Sequence, residues 1–370
     1  MTRFNFEART RVLAGPGRLS DLGDAARSVG AARALVVTDP PLVEAGHAAK
    51  AIRALEQAGL AVELYAGSHS NPDSDDAETL RAFAATVDPD LLIGLGGGSA
   101  MDMAKAANFL LTNGGRMRDY KGYGRAANPL RPMILIPAST GTGSEAQSYC
   151  VIADARTRAK MACGAPSAAA RVVILDPEVA LSQPRAVRAA SGFDALSHAV
   201  ETWVTTKRND LSSLYAREAW RLLSCHYERV LDKLDDIEAI AAMQWGAFLA
   251  GWAIEHSMLG AAHACANPLS QRYGAVHAHA LAAVLPHVVR YNAQLMQARY
   301  DELQPALAAR VEHFRAAAGL PASLAELKAP EEDLPLLAAR AAEQWTGHHN
   351  PRPFDAEAAL EIYQCAYSPC

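Results

Sequence analysis

Asp194 and His198 stand four residues apart in Gly192-Phe-Asp-Ala-Leu-Ser-His-Ala199. On a helix that spacing puts a carboxylate and an imidazole on one face. Two further histidines, His263 and His277, bracket the segment HACANPLSQRYGAVH. Three imidazoles and one carboxylate form a donor set suited to Zn²⁺ or Fe²⁺. Spacing alone leaves a second reading open, because an i, i+4 Asp–His pair is also a common ion pair on a helix face.

A different chemistry is offered by Gly94-Leu-Gly-Gly-Gly-Ser99, which follows the apolar run DLLIG and opens the helix-prone AMDMAK. Glycines let a backbone approach a pyrophosphate, and a helix N-terminus offers free N–H groups and a positive dipole end. The spacing is not that of a GxGxxG fingerprint. A tight strand-to-helix turn without ligand is the alternative. A second small-residue loop, Pro137-Ala-Ser-Thr-Gly-Thr-Gly-Ser-Glu145, follows the run PMILI and carries four hydroxyls. Both loops fall at the carboxyl ends of predicted parallel strands, where open α/β sheets bind ligands. Asp39 ends a third apolar run, ALVVT; an acid there can hold a ribose 2′-OH or simply start the turn before Pro40-Pro41.

The elements that must position these residues differ between the two halves. In the first, ALVVT, AVELY, DLLIG, PMILI and RVVIL read as strands, with helix-like segments at Pro41–Gly59 and Asp75–Val87. Strands alternating with helices predict a parallel sheet with helices on both faces. From about Pro184 the β-branched residues thin out, and segments 211–223, 236–256 and 334–345 are helix-prone. The expected division is therefore an α/β domain over 1–183 and an all-helical domain over 184–370. The segment GHHNPRP (347–353) reads as the nearest thing to a flexible stretch.

Composition narrows the partners. Over 370 residues the net charge is −5, which argues against a general nucleic-acid binder. The most apolar long uncharged stretch, Ala239–Ile254, is shorter than the roughly 20 residues of a membrane span, and the N-terminal MTRFNFEARTRV lacks an apolar signal core. Six cysteines without a CxxC pair read as reduced thiols in a cytoplasm.

Taken together, GGGSAMDMAK (96–105), GTGSE (141–145), GFDALSHAVE (192–201) and the His263…His277 element resemble the iron-containing, or group III, alcohol dehydrogenases. The match runs from Val37 to Asn292. The resemblance implies a dehydroquinate synthase-like fold: an N-terminal dinucleotide-binding domain and a helical C-terminal domain, with the metal in the cleft between them. It places Asp194, His198, His263 and His277 on the metal, Fe²⁺ with Zn²⁺ possible. It places Gly97, Gly98, Ser99 and Asp102 at the cofactor's pyrophosphate and nicotinamide side. Asp39 matches the adenosine-ribose residue and favours NAD over NADP. Asn71, Ser139, Thr142, Lys160 and Leu181 match further cofactor-contact positions. Homodimers are common in the family.

The sequence departs from the family in three places. The usual TTAGTGSE loop reads Ala138-Ser-Thr-Gly-Thr-Gly-Ser-Glu145. The residue after His277 is Ala278 rather than glycine, followed by His279. Where a histidine commonly stands four residues after the first downstream ligand, this chain has Asn267. Asparagine can hydrogen-bond substrate but cannot carry a proton. Proton release then uses water or a ribose hydroxyl, or the substrate differs from simple alcohols. His279 becomes the candidate proton relay. His287 reads as structural, and His348 and His349 as part of a solvated loop.

The expected activity is that of an NAD-dependent alcohol dehydrogenase, moving hydride between NAD(H) and a small alcohol, aldehyde or ketone. Three rivals remain at this stage. A dehydroquinate-synthase-like lyase needs a basic pocket for a substrate phosphate, yet segments 192–201 and 263–279 contain one basic residue besides histidines, Arg272. A maleylacetate-reductase-like enzyme works without metal, which the intact ligand set opposes. A non-catalytic nucleotide- or metal-binding protein is favoured only by Asn267.

Overall fold

The computed structural model describes residue 4 and residues 6–367. Phe6–Gln183 forms one unit, and the chain from Pro184 onward forms a second. In the first, the strands are β1 (Arg11–Ala14), β2 (Arg33–Val37), β3 (Ala61–Tyr65), β4 (Leu91–Gly96), β5 (Gly122–Tyr123), β6 (Met133–Pro137), β7 (Tyr149–Ala153), β8 (Lys160–Gly164) and β9 (Val172–Leu175). The helices are α1 (Leu22–Ser28), α2 (Pro40–Glu44), α3 (His47–Gln57), α4 (Ser74–Val87), α5 (Gly98–Asn113) and α6 (Pro177–Ala180).

Six strands form one parallel sheet in the order β1-β9-β6-β4-β2-β3. Successive side chains of a strand point to opposite faces. Leu35, Val37 and Leu92 accordingly pack with Ala77, Leu80, Met103 and Phe109 of α4 and α5. Ala34, Val36, Leu91 and Ile93 pack with Leu22, Ala26, Ala51 and Leu55 of α1 and α3. Burial on both faces explains why these strands read as continuous apolar runs. Register aligns the carboxyl ends: Val37 pairs with Gly94, and Gly96 with Pro137. The loops after β2, β4 and β6 therefore leave the sheet side by side.

Two departures from the expected elements have local causes. The helix expected over Pro41–Gly59 is two helices, split at Gly46, whose φ of +79 stops α2. A hairpin of β7 and β8, joined with β5 in a second sheet, was not expected. Its turn is set by Asp154, whose carboxylate accepts from the Arg156 and Thr157 amides, and by Arg158 at φ +57.

The second unit consists of α7 (Arg185–Val204), α8 (Asp210–Asp232), α9 (Ile237–Glu255), α10 (Ala261–Tyr273), α11 (His277–Leu303), α12 (Leu307–Ala318), α13 (Leu334–Ala342) and α14 (Ala356–Tyr367). α7 lies against α8, α9 and α11 and is buried over nearly all of Gly192–Val204. Gly192 allows this approach: a Cβ there would lie 2.6 Å from the Tyr227 ring of α8 and 3.0 Å from Met243 of α9. Tyr227 is fully buried and donates its hydroxyl to the Ala189 carbonyl at 2.6 Å. α7 is thus fixed two residues before Asp194.

α9 is longer than its uncharged stretch, because Ile237, Glu238 and Glu255 belong to it. By length and apolar content it could cross a membrane, but 67% of its most apolar stretch is buried inside the protein. The segment 347–353 is not loose. Gly347–His349 forms a 3-10 turn, and Asn350 is buried, exchanging hydrogen bonds with Asn292 of α11 at 3.0 and 2.7 Å. Cys150, Cys163, Cys225, Cys265 and Cys365 are free thiols; Cys370 lies outside the described residues.

Candidate metal centre

α7 carries Asp194, His198 and Glu201 at i, i+4 and i+7, one face over two turns. α10 starts just after Gly260, so His263 sits in its first turn. α11 starts at His277 itself. Three helices thereby bring four side chains of the same unit together. The ligand atoms of Asp194, His263 and His277 all lie within 4.8 Å of one another. Asp194 Oδ1 is 3.3 Å from His198 Nε2 and 3.8 Å from His263 Nε2. The His198 and His263 rings stack with centroids 5.0 Å apart, and His277 lies 5.2 Å from His263.

The cluster is dry. Asp194, His198 and His263 are each less than a tenth exposed, and His277 is half-buried. Burial opposes the Asp194 charge, but His198, His263 and His277 outweigh it and hold the carboxyl well below its usual range. Burial likewise opposes charge on His263, yet Glu201 and Asp194 together raise it to about 9. His198 is lowered, chiefly by burial. Asp194 Oδ1 and His263 Nε2 are buried without a hydrogen bond of normal geometry. Buried polar atoms are ordinarily satisfied. Two such atoms aimed together, with imidazoles around them, fit a divalent cation that prefers nitrogen and oxygen donors.

Glu201 was missed by sequence reasoning. Its Oε2 accepts from His263 Nδ1 at 2.5 Å, and its Oε1 accepts from the Ala262 amide at 2.7 Å. The i+7 position after Asp194 was the available signal.

Asn267 lies one turn beyond His263 on the same face of α10 and is 4% exposed. Its Nδ2 donates to Gln344 Oε1 at 3.1 Å. Gln344, just past α13, is the second residue missed; no local pattern marks it. His279 is two positions from His277 and so takes a different face of α11. It is half-buried, its pKa lowered by burial, and among the described residues it makes no hydrogen bond to the acid–imidazole cluster.

The other predicted residues lie in the first unit. Gly97 caps α5 without a side-chain hydrogen bond, and the space over its Cα is open. The first-turn amides of Gly98 and Ser99 therefore keep the unpaired donors of a helix start. A Cβ on Gly98 would meet Thr142, joining the two small-residue loops. Ser139 is buried, and among the described residues its Oγ has no hydrogen-bond partner. Asp39 caps α2: Oδ1 accepts from the Leu42 amide at 3.1 Å, while a Cβ on Gly96 would lie 3.5 Å from Oδ2. Burial raises its pKa.

Asp102 is occupied by the chain itself, accepting from Ser144 Oγ at 2.5 Å and the Val151 amide at 3.0 Å. Lys160 opens β8, and its charge reaches Asp102. Asn71 is exposed at φ +54, in the turn that Pro72 fastens to Ala153. Leu181 follows α6 and is 37% exposed.

Comparison with known proteins agrees with both units. Residues 9–177 match the family model for iron-containing alcohol dehydrogenase, and residues 188–367 match that for the C-terminal part of the Fe-containing alcohol dehydrogenase family. The NAD-dependent methanol dehydrogenase of Bacillus methanolicus is 31% identical over 98% of this chain and 99% of its own. The 1,3-propanediol dehydrogenase of Klebsiella pneumoniae is 29% identical over 95% of this chain and 96% of its own. A solved 1,3-propanediol oxidoreductase superposes with a TM-score of 0.94 at 28% identity, covering 99% of this chain and 100% of that one. With its parallel sheet, helical second half and clustered acid–imidazole donors, the chain belongs to the iron-containing alcohol dehydrogenase family and is an alcohol/aldehyde oxidoreductase.

Proposed function

We propose that the chain is an NAD(H)-linked dehydrogenase of small alcohols and aldehydes in which Asp194, His198, His263 and His277 hold one divalent cation, iron or zinc. The approach of Asp194, His263 and His277 to within 4.8 Å carries this reading. A cation held there supplies Lewis acidity toward the substrate oxygen. The dinucleotide supplies the hydride acceptor or donor, and the protein supplies placement.

The chain's own residues then divide the remaining work. The uncapped start of α5 at Gly97, Gly98 and Ser99 takes the diphosphate, as free N–H groups and the helix dipole favour. Ser139 and Thr142 border it, and Ser139 has a buried hydroxyl with no hydrogen-bond partner among the described residues. Asp39 takes the adenosine ribose and disfavours a 2′-phosphate. Asn71, Asp102, Lys160 and Leu181 complete the reading, Asp102 by fixing the loop around Ser144. Asn267, steadied by Gln344, presents an amide to substrate but holds no transferable proton. The proton of alcohol oxidation leaves through water or a ribose hydroxyl, and His279 has a weaker claim to that task.

On this reading residues 1–183 serve the dinucleotide and 184–370 the metal and substrate. A homodimer acting in the cytoplasm on small molecules, without nucleic acid or membrane, fits the composition and the family. The test is NADH formation over a panel of small alcohols by enzyme loaded with Fe²⁺ or Zn²⁺. Metal-dependent turnover is expected; turnover unaffected by complete metal removal contradicts the reading.

A further inference from the structure

We propose that Glu201 is a positioning residue for the metal centre: it fixes the tautomer and orientation of His263 and brings the charge of the loaded site to zero. The proposal rests on the assignment of Asp194, His198, His263 and His277 as metal ligands.

The geometry separates this role from ordinary helix capping. Glu201 uses Oε1 for the Ala262 amide at the start of α10 and Oε2 for His263 Nδ1, at 2.7 and 2.5 Å. The neighbouring Ala261 amide is served by Asn350 Oδ1 at 3.3 Å. One oxygen of Glu201 is thus left for the imidazole alone. In the neutral form that a metal requires, an imidazole whose Nδ1–H is donated to a carboxylate presents a bare Nε2 at its other edge. That edge is the one 3.8 Å from Asp194 Oδ1. His263 is therefore bracketed by two carboxylates of a single helix, seven residues apart.

The surroundings are built for this contact. Glu201 is 4% exposed. Gly260, which turns the chain into α10, lies close to this contact: a Cβ would sit 3.1 Å from both Glu201 Oε1 and Asn350 Oδ1, so either would have to give by a few tenths of an ångström. Asn350 is held in turn by Asn292 and by the Arg352 carbonyl.

Charge supplies the second argument. A divalent cation with Asp194 and three neutral imidazoles carries +1. Glu201, one hydrogen bond from His263, adds −1 and makes the buried unit neutral, which a low-dielectric interior favours. Carboxylates that orient ligating histidines typically contribute about 10- to 100-fold in metal affinity.

The test uses the full-length enzyme and the Glu201→Gln variant. Zn²⁺ affinity is measured by competition with a chromophoric chelator, alongside thermal unfolding in the absence of metal. The expected result is an affinity about 10- to 100-fold weaker in the variant, a loss not reproduced by Asn292→Ala. Equal affinity in parent and variant overturns the role of Glu201 while leaving the metal assignment intact. A parent that binds no stoichiometric Zn²⁺ removes the assignment itself. Should Glu201→Gln fail to fold, imidazole ¹H–¹⁵N correlation on the Zn²⁺-loaded parent decides: His263 protonated on Nδ1 is expected, and protonation on Nε2 overturns the proposal.

Discussion

Gly98 opens α5 and Thr142 belongs to the loop after β6, yet a methyl group on Gly98 would stand 3.0 Å from the Cβ, Cγ2 and Oγ1 of Thr142. The two loops proposed to take the diphosphate are packed together through the absence of a side chain. Gly98→Ala must push them apart by a few tenths of an ångström. The expected outcome is NADH binding weakened about tenfold, the equivalent of about 1.4 kcal/mol, with metal content unchanged. Fluorescence titration with NADH checks this; unaltered affinity would remove Gly98 and Thr142 from the cofactor site.

Asp39 caps α2 and is proposed to take the adenosine ribose, and one substitution can separate the two. Its Oδ1 caps α2, and its charge faces the start of the glycine turn. Asparagine is as good an N-cap as aspartate. Asp39→Asn therefore keeps the cap and deletes the charge. The ratio of kcat/KM for NADP over NAD is expected to rise about tenfold while the unfolding midpoint stays put. An unchanged ratio takes Asp39 off the ribose.

Among the described residues Gln344 is hydrogen-bonded to the candidate site through Asn267. Gln344→Leu frees the Asn267 amide without adding charge. KM for alcohol should rise about three- to tenfold, with KM for NAD unchanged. Equal rises in both would mean that Gln344 supports the fold rather than the substrate amide.

Glu145 gives a pH prediction. Burial raises its carboxyl from the usual 4.5 to about 7, with Asp102 adding to the shift against Lys105 and a backbone hydrogen bond. The folded state thus binds this proton more tightly than the unfolded chain does. Its stabilising contribution is complete below about pH 4.5 and is lost as pH rises through about 7. Glu145→Gln should flatten the fall in unfolding midpoint between those values; parallel curves for parent and variant would refute the buried-acid reading.

What the sequence disclosed followed the reach of its local rules. The parallel sheet was legible because strands buried on both faces leave uninterrupted apolar runs, as in Leu91–Gly96. The shared face of Asp194 and His198 follows from four residues on a helix. The β7–β8 hairpin was not legible, because KMACG lacks a β-branched run and meets β7 through the turn that Asp154 organises. Asn350 looked flexible in a Gly–His–Pro stretch, yet Asn292, far away in sequence, holds it in the interior. Glu201 and Gln344 acquire their tasks only when α10 docks on α7 and α13, and no periodicity encodes such docking.

The account depends on four side chains gripping one cation, and metal content per chain measures that directly. Parent and His277→Ala are loaded identically, desalted and assayed by plasma mass spectrometry. The parent should hold one divalent cation per chain and the variant less than about a tenth of one. A variant that keeps a full equivalent, or a folded parent that holds none, would contradict it.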